Sequence, residues 1–193
     1  MRPWLLTLIL ASASPRRREL LGQFGLAFDI DPADIDEARR AGESAHSYVL
    51  RIAGEKALHV ADRHPGQPVL GADTAVVLDG RSLGKPVDAG EARSMLRQLS
   101  GRAHQVMSAV ALVCPDGRRL SRLSRTEVEF GQLPLAWIEA YIASGDPMDK
   151  AGAYGIQNQA GIWISRITGS YTGVVGLPLF ETGALLREAG LLE

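Results

Sequence analysis

Leu5-Leu6-Thr7-Leu8-Ile9-Leu10-Ala11-Ser12-Ala13-Ser14-Pro15-Arg16-Arg17-Arg18-Glu19-Leu20-Leu21 is the stretch on which the fold turns. Residues 5 to 11 are almost continuously apolar, the pattern of a strand buried on both faces. Ser14 is an N-cap residue type and Pro15 suits the first helical position. A helix therefore starts directly after the strand. Leu20, Leu21 and Phe24 give it an apolar face, and Gly25 ends it. The same stretch has a rival reading. Arg2, the run Trp4 to Leu10 and Ala11-Ser12-Ala13 have the shape of a short signal peptide. An exported protein would be cleaved near Ala13. The strand is preferred because a helix start with functional character follows at once. The run is too short to span a bilayer, and no other segment is a transmembrane candidate.

Strands and helices alternate along the rest of the chain, which argues an α/β fold. A second helix runs from about Ser44 to Asp62, with the stripe Val49, Ile52, Ala53, Ala57 and Val60. Residues 68 to 72 form a buried strand that 75 to 78 continue, and Asp79-Gly80 signals a hairpin. Asp88 and Glu91 make a capping box for a third helix, which ends at Ser100-Gly101. Residues 105 to 114 and 122 to 130 read as strands around Pro115-Asp116-Gly117. A fourth helix covers about 135 to 143 and stops at Gly145. Residues 161 to 168 read as a strand and 178 to 189 as a final helix opened by Pro178. The segment 145 to 160 has little periodicity, and a loop that long is usually functional or disordered.

The 193 residues fit one domain, taken here as 1–193, with enough chain to bury a core without staples. A formal net charge of −1 argues against general affinity for nucleic acid or anionic membrane. Any anion site must be built locally. Cys114 is the only cysteine and reads as a small buried hydrophobe. The four histidines show no metal-ligand spacing.

Several places carry chemistry. At Ser12 to Arg18 a strand end meets a helix N-terminus, where free N–H groups and the dipole favour an anion. Arginines there oppose helix stability but suit phosphate oxygens; the alternative is a solvated basic face. Lys56 falls on the apolar stripe of its helix, so it is either paired or snorkelling. Asp73, in Gly71-Ala72-Asp73-Thr74, is a carboxylate in an apolar strand pattern, where Asp is depleted. It reads as a metal ligand or general base, or else as a turn-forming residue bonded to backbone. Lys85-Pro86, after Gly84, could return a cation to the same face. Residues 145 to 157 form a flexible polar loop, functional or merely exposed. Asp34, Asp36 and Glu37 alone read as a solvated charge run.

Taken together, these motifs resemble the Maf family of nucleotide pyrophosphatases, named for a link to septum formation. The matching pieces are Leu10 to Arg17, Gly71-Ala72-Asp73-Thr74, Lys85-Pro86-x-Asp88, Met95-Leu96-x-x-Leu99-Ser100-Gly101, Asp149 to Gln157, and Gly169-Ser170-Tyr171 with Val174 to Leu179. They occur in family order over nearly the whole chain. The resemblance implies a long curved mixed β-sheet with flanking helices and two lobes around a cleft, of the Maf/ITPase-like kind. It implies a cytoplasmic homodimer that splits nucleoside triphosphates to the monophosphate and pyrophosphate with Mg²⁺ or Mn²⁺. The Asp73 and Gln157 motifs look like the subgroup acting on dTTP and UTP. By the same resemblance Asp73 is the proton acceptor. Ser12, Arg16, Arg17, Lys56 and Lys85 hold phosphates, and Arg16, Thr74 and Gln157 set base preference. Asp73 and Glu37 bind metal. Two departures stand out: Gly173, where many members have a polar residue, and Met107-Ser108, where Thr commonly precedes Ala-Val-Ala-Leu. Neither is expected to touch the proposed chemistry, and Gly173 leaves the role of the C-terminal loop open. The rival functions are a non-catalytic nucleotide-binding regulator of septum formation and a general phosphatase releasing inorganic phosphate.

Overall fold

The structure, a computed structural model, describes residues 7–193. Leu5 and Leu6 of the expected first strand, and the Arg2 and Trp4 part of the signal-peptide reading, lie outside the described residues. The strand itself is β1 (Leu8–Leu10), fully buried, and Ala11 N–H extends its ladder onto Leu70 O at 2.9 Å. Helix α1 (Pro15–Gly22) follows, with Ser14 Oγ accepting from Arg17 N–H as the cap. Leu20 and Leu21 are its buried residues, and Gly25 takes the left-handed turn beyond it with φ 68°.

Next come β2 (Phe28–Ile30), α2 (Ala45–Ala61), β3 (Val69–Leu78) and β4 (Arg81–Leu83). The chain continues through α3 (Ala89–Leu99), β5 (Ala103–Val113), β6 (Arg119–Phe130), α4 (Leu135–Ala143), β7 (Ile164–Thr168), α5 (Tyr171–Val175) and α6 (Leu179–Glu188). The mixed seven-stranded sheet has the order β2-β1-β3-β5-β6-β7, with β4 paired to β3.

One detail of that pairing makes the site. Strand β5 runs antiparallel along one edge of β3 from Val69 to Val77. The other edge is shared. β1 pairs parallel to it at Val69 and Leu70, and β4 pairs antiparallel at Val76 to Leu78. Among the described residues, no strand pairs with that edge from Gly71 to Ala75, between these two partners, so the sheet forks there.

The two faces of β3 carry separate cores. Leu70, Ala72, Val76 and Leu78 join residues of α1, α3, α4 and α6. Val69, Ala75 and Val77 pack with Val49, Ala53, Ala57 and Val60 of α2. Each fully buried leucine or valine contributes about 1.5–3 kcal/mol relative to exposure. The strand's period of two then places Asp73 on the α2 face and Thr74 on the opposite one. Gly71 shares the face of Asp73. A Cβ on it would collide with Ala53 O and meet Ala57 N at 2.8 Å, so the glycine lets α2 lie close against the strand.

The structure corrects several expectations. Residues 69 to 78 are one unbroken strand, so Asp73 is not a turn residue. Residues 159 to 163 form a 3₁₀ turn, and the expected strand begins only at Ile164. In the capping box Asp88 accepts from Glu91 N–H at 2.8 Å, but Glu91 reaches Val87 N–H rather than the cap's own. Strands β5 and β6 start earlier than their apolar cores suggest, because their polar ends still pair across the hairpin. Strand β2 and helix α5 were not foreseen; β2 is only three residues, and α5 contains Gly173.

Candidate active site

A cleft of about 850 Å³ opens at the fork. Its walls include the β1–α1 junction, the middle of β3, the segment after β4, and the 145–160 loop. Asp73 and Lys56 stand on one side. Lys56 Nζ donates to Asp73 Oδ1 at 2.9 Å and also lies 3.0 Å from Glu37 Oε1. Lys56 is paired, not snorkelling, and Asp73 is 6% exposed. Burial pushes the Asp73 carboxyl above its usual range, while Lys56 and then Arg17 pull it back.

Glu37 comes from a segment without regular structure that is pinned to α2. Tyr48 Oη donates to Glu37 O at 3.0 Å, and Arg51 donates to Ala38 O at 3.1 Å. Arg51 also pairs with both oxygens of Glu43. The acidic run is thus divided: Glu37 lines the cleft, while Asp34 and Asp36 do not.

On the other face of β3, Arg17 fans its donors across the junction. Its Nε–H donates to Gly176 O at 2.9 Å, Nη1 to Ser12 Oγ at 3.3 Å, and Nη2 to Thr74 Oγ1 at 3.4 Å. Burial lowers the guanidinium pKa, with Asp73 and Glu37 acting against the shift. Arg16 is partly exposed at the rim, 3.8 Å from Asp149. Arg18 is exposed and lies outside the cleft. Lys85 and Gln157 are exposed and line it. The phosphate-type cations of the N-terminal junction, Lys56 and Lys85 therefore share one cleft with Asp73.

The Maf-like protein family model matches residues 7–189. The chain belongs to the Maf family. Its similar relatives cover it almost end to end. A dTTP/UTP pyrophosphatase from Anaeromyxobacter dehalogenans (strain 2CP-C) is 54% identical over 186 residues, 95% of this chain and 94% of that protein. One from Myxococcus xanthus (strain DK1622) is 54% identical over 185 residues, 95% and 93% of the two chains. One from Methylococcus capsulatus (strain ATCC 33009 / NCIMB 11132 / Bath) is 51% identical over 187 residues, 96% and 92%. A solved HAM1 protein from Coxiella burnetii superposes with TM-score 0.46 and 22% identity, covering 67% of this chain and 75% of that one. That likeness carries no weight for site or substrate.

Within this Maf chain Met107, Ser108 and Gly173 do not line the cleft, but Ser108 bonds to Thr74, which does. Ser108 pairs across the sheet with Thr74. Ser108 Oγ donates to Gly173 O at 2.6 Å, so its 2.9 Å contact with Thr74 Oγ1 uses the threonine proton. Arg17, Thr74, Ser108 and the Gly173–Gly176 segment form a closed loop of hydrogen bonds behind the junction. At Gly173 the space for a side chain is taken: a Cβ would meet Ser170 Cβ at 3.2 Å and Ser124 Oγ at 3.3 Å. Ser108 was visible as a polar residue inside the apolar run 106 to 112, but its partner Gly173 was not. Arg39 and Tyr48 were also missed. Arg39 lies over the Tyr48 ring at 5.4 Å, and both line the cleft.

The Maf resemblance implies a divalent metal, and the donor chemistry here fits one. Two carboxylates drawn to one ammonium at the edge of a cation-lined cleft are hard oxygen donors. Mg²⁺ commonly takes one or two carboxylates and completes its shell with phosphate and water. Among the described residues no group of three or more His, Cys, Asp or Glu could hold a metal alone. Asp73 and Glu37 would be the protein's share. No helix among the described residues is long and apolar enough to cross a membrane.

Proposed function

We propose that this Maf-family protein is a nucleoside triphosphate pyrophosphatase acting on dTTP and UTP, releasing the monophosphate and pyrophosphate. The observation that carries the reading is the Lys56–Asp73 pair, with Glu37, opening into a cleft that also holds Arg16, Arg17 and Lys85. The printed names of relatives at 51–54% identity support the substrate. A divalent cation held by Asp73 and Glu37 would supply acidity to a bound water.

The chain's own residues do the rest. Ser12, Arg16, Arg17 and Lys85 hold the triphosphate, and Lys56 releases Glu37 to reach the same oxygens while staying on Asp73 Oδ1. Asp73 keeps Oδ1 on Lys56 and takes the water's proton on Oδ2 as oxygen attacks the α-phosphorus. The bond from the α-phosphorus to the bridging α–β oxygen breaks, and the electron pair leaves with pyrophosphate. Arg17 and the α1 N-terminus are suited to that developing charge. Thymine and uracil present an O4 acceptor beside an N3–H donor, and the Gln157 amide carries the opposite pair. Arg16 and Thr74 act with it, Thr74 through its bond to Arg17. We also take the protein to work in the cytoplasm as a homodimer, a reading that rests on the family likeness.

The test is product analysis with dTTP and UTP in Mg²⁺ or Mn²⁺. The reading expects pyrophosphate and monophosphate in equal amounts. Inorganic phosphate would mark a general phosphatase instead. Tight nucleotide binding without turnover would leave the non-catalytic regulator.

A further inference from the structure

The loop that carries Gln157 has no strand or α-helix to hold it, yet it is built around a buried cation. Lys150 is 8% exposed. Its Nζ donates to Asp146 O at 2.6 Å, Asp146 Oδ1 at 3.1 Å and Asp149 Oδ1 at 2.7 Å. A buried ammonium needs such company. Asp146 is the hub. Its Oδ2 accepts from Tyr141 Oη at 2.5 Å, and its Oδ1 accepts from Asn158 Nδ2 at 2.6 Å. Tyr141 lies on α4, is fully buried, and also accepts from Gly155 N–H at 3.1 Å.

These bonds bracket Gln157 on both sides. Gly155 precedes it by two residues and is held by Tyr141. It also packs so tightly on Lys150 that a Cβ there would lie 2.7 Å from Lys150 Cε. Asn158 follows it directly and is held by Asp146. The same loop docks on the segment just after β4 through Gly152 N–H to Gly84 O at 3.0 Å. Ala153 is held at φ 60°, a conformation that strains a non-glycine residue and persists only where surroundings over-determine it. Asp149 extends the cluster to Arg16 at 3.8 Å. Arg16 and Gln157, two of the residues read as base-contacting, thus hang from one ion cluster.

We propose that Asp146, Tyr141 and Asn158 are positioning residues for base discrimination, fixing the Gln157 amide through the Lys150 ion cluster. The inference rests on the reading that Gln157 addresses the base. A carboxamide discriminates between donor and acceptor edges only if it is held in one orientation. If the hub is cut, the loop keeps its chain path but Gln157 turns to suit either edge.

UTP and CTP separate the two cases, since they share the triphosphate and ribose and differ at the base edge. The readout is the ratio of kcat/KM for UTP to that for CTP. It is internal to each sample, so partial unfolding or a lost fraction of active protein cancels. Asp146→Asn and Tyr141→Phe are expected to lower the ratio about tenfold or more. Asn158→Ala, an exposed change that cannot threaten the core, should lower it by a smaller factor in the same direction. Gln157→Ala is the reference. A ratio that falls in Gln157→Ala but stays at the wild-type value in Tyr141→Phe and Asn158→Ala overturns the proposal. A ratio unchanged in Gln157→Ala itself overturns the base reading beneath it.

Discussion

Lys56 Nζ lies 2.9 Å from Asp73 Oδ1, with the two side chains 9% and 8% exposed. A pair this buried is poor evidence for stability, because desolvation offsets much of its attraction. Its place between a helix stripe and the open edge of a strand points to chemistry. Asp73→Asn keeps the shape and leaves Lys56 paired to Glu37. Turnover of dTTP should fall about a hundredfold to ten-thousandfold, the usual worth of a general base, while nucleotide binding persists. Single-turnover rates beside equilibrium binding decide it; near-normal turnover would reject Asp73 as the proton acceptor.

Glu37 is the second carboxylate on the same ammonium, but half exposed at 50%. That exposure suits a group that exchanges its partner. Glu37→Gln should raise the Mn²⁺ concentration needed for half-maximal rate by about tenfold to a hundredfold, a span known for residues that support metal sites. Chelation by EDTA should stop the wild-type enzyme, and added Mn²⁺ should restore it. Activity that survives exhaustive chelation would remove the metal from the mechanism.

Gly71 sets how near α2 approaches β3. A side chain there meets backbone at Ala53 and Ala57, which cannot swing away as a flexible side chain would. Gly71→Ala should destabilise the protein by about 1–3 kcal/mol, as overpacking does elsewhere. Because Lys56 lies between Ala53 and Ala57 on α2, the same shift should draw it off Asp73. The measurements are urea unfolding and kcat. A stable variant with full kcat would show that the close approach is dispensable.

The parts of this site that were legible are those whose local pattern conflicted with a bland role. Lys56 stood out because a helical stripe gave it a buried place, and Asp73 because strands avoid aspartate. The Ser14-Pro15 start placed the arginines correctly, since caps are local. The fork was not legible. It depends on β1 and β4 sharing one edge of β3, a non-local choice that leaves no period in the sequence. For the same reason β3 looked broken at Asp73 and Thr74, whose polarity hid an unbroken strand. Ser108 needed Gly173, 65 residues away, to acquire meaning. Lys150 sat in a loop without periodicity, so its burial had no sequence signal.

His104 gives the fold a specific acid weakness. Burial lowers its pKa from 6.5 to about 4. Its Nε2 shares a 2.6 Å hydrogen bond with Tyr154 Oη, while Nδ1 is buried with no partner among the described residues. Protonation would place N–H on both nitrogens and leave one without an acceptor. Between pH 6.5 and about 4 the unfolded chain binds this proton and the folded one does not. Stability therefore falls as pH drops through that window, by up to about 3 kcal/mol at 1.36 kcal/mol per pKa unit. Asp31 and Glu43, each lowered to about 2 by arginine partners, add their losses only below their unfolded values near 3.8 and 4.5. His104→Gln keeps an amide that can bond Tyr154 but does not titrate. Urea unfolding at pH 7 and pH 4.7 should show a clear loss for wild type and a much smaller one for the variant. Parallel losses in both proteins would place the acid sensitivity elsewhere.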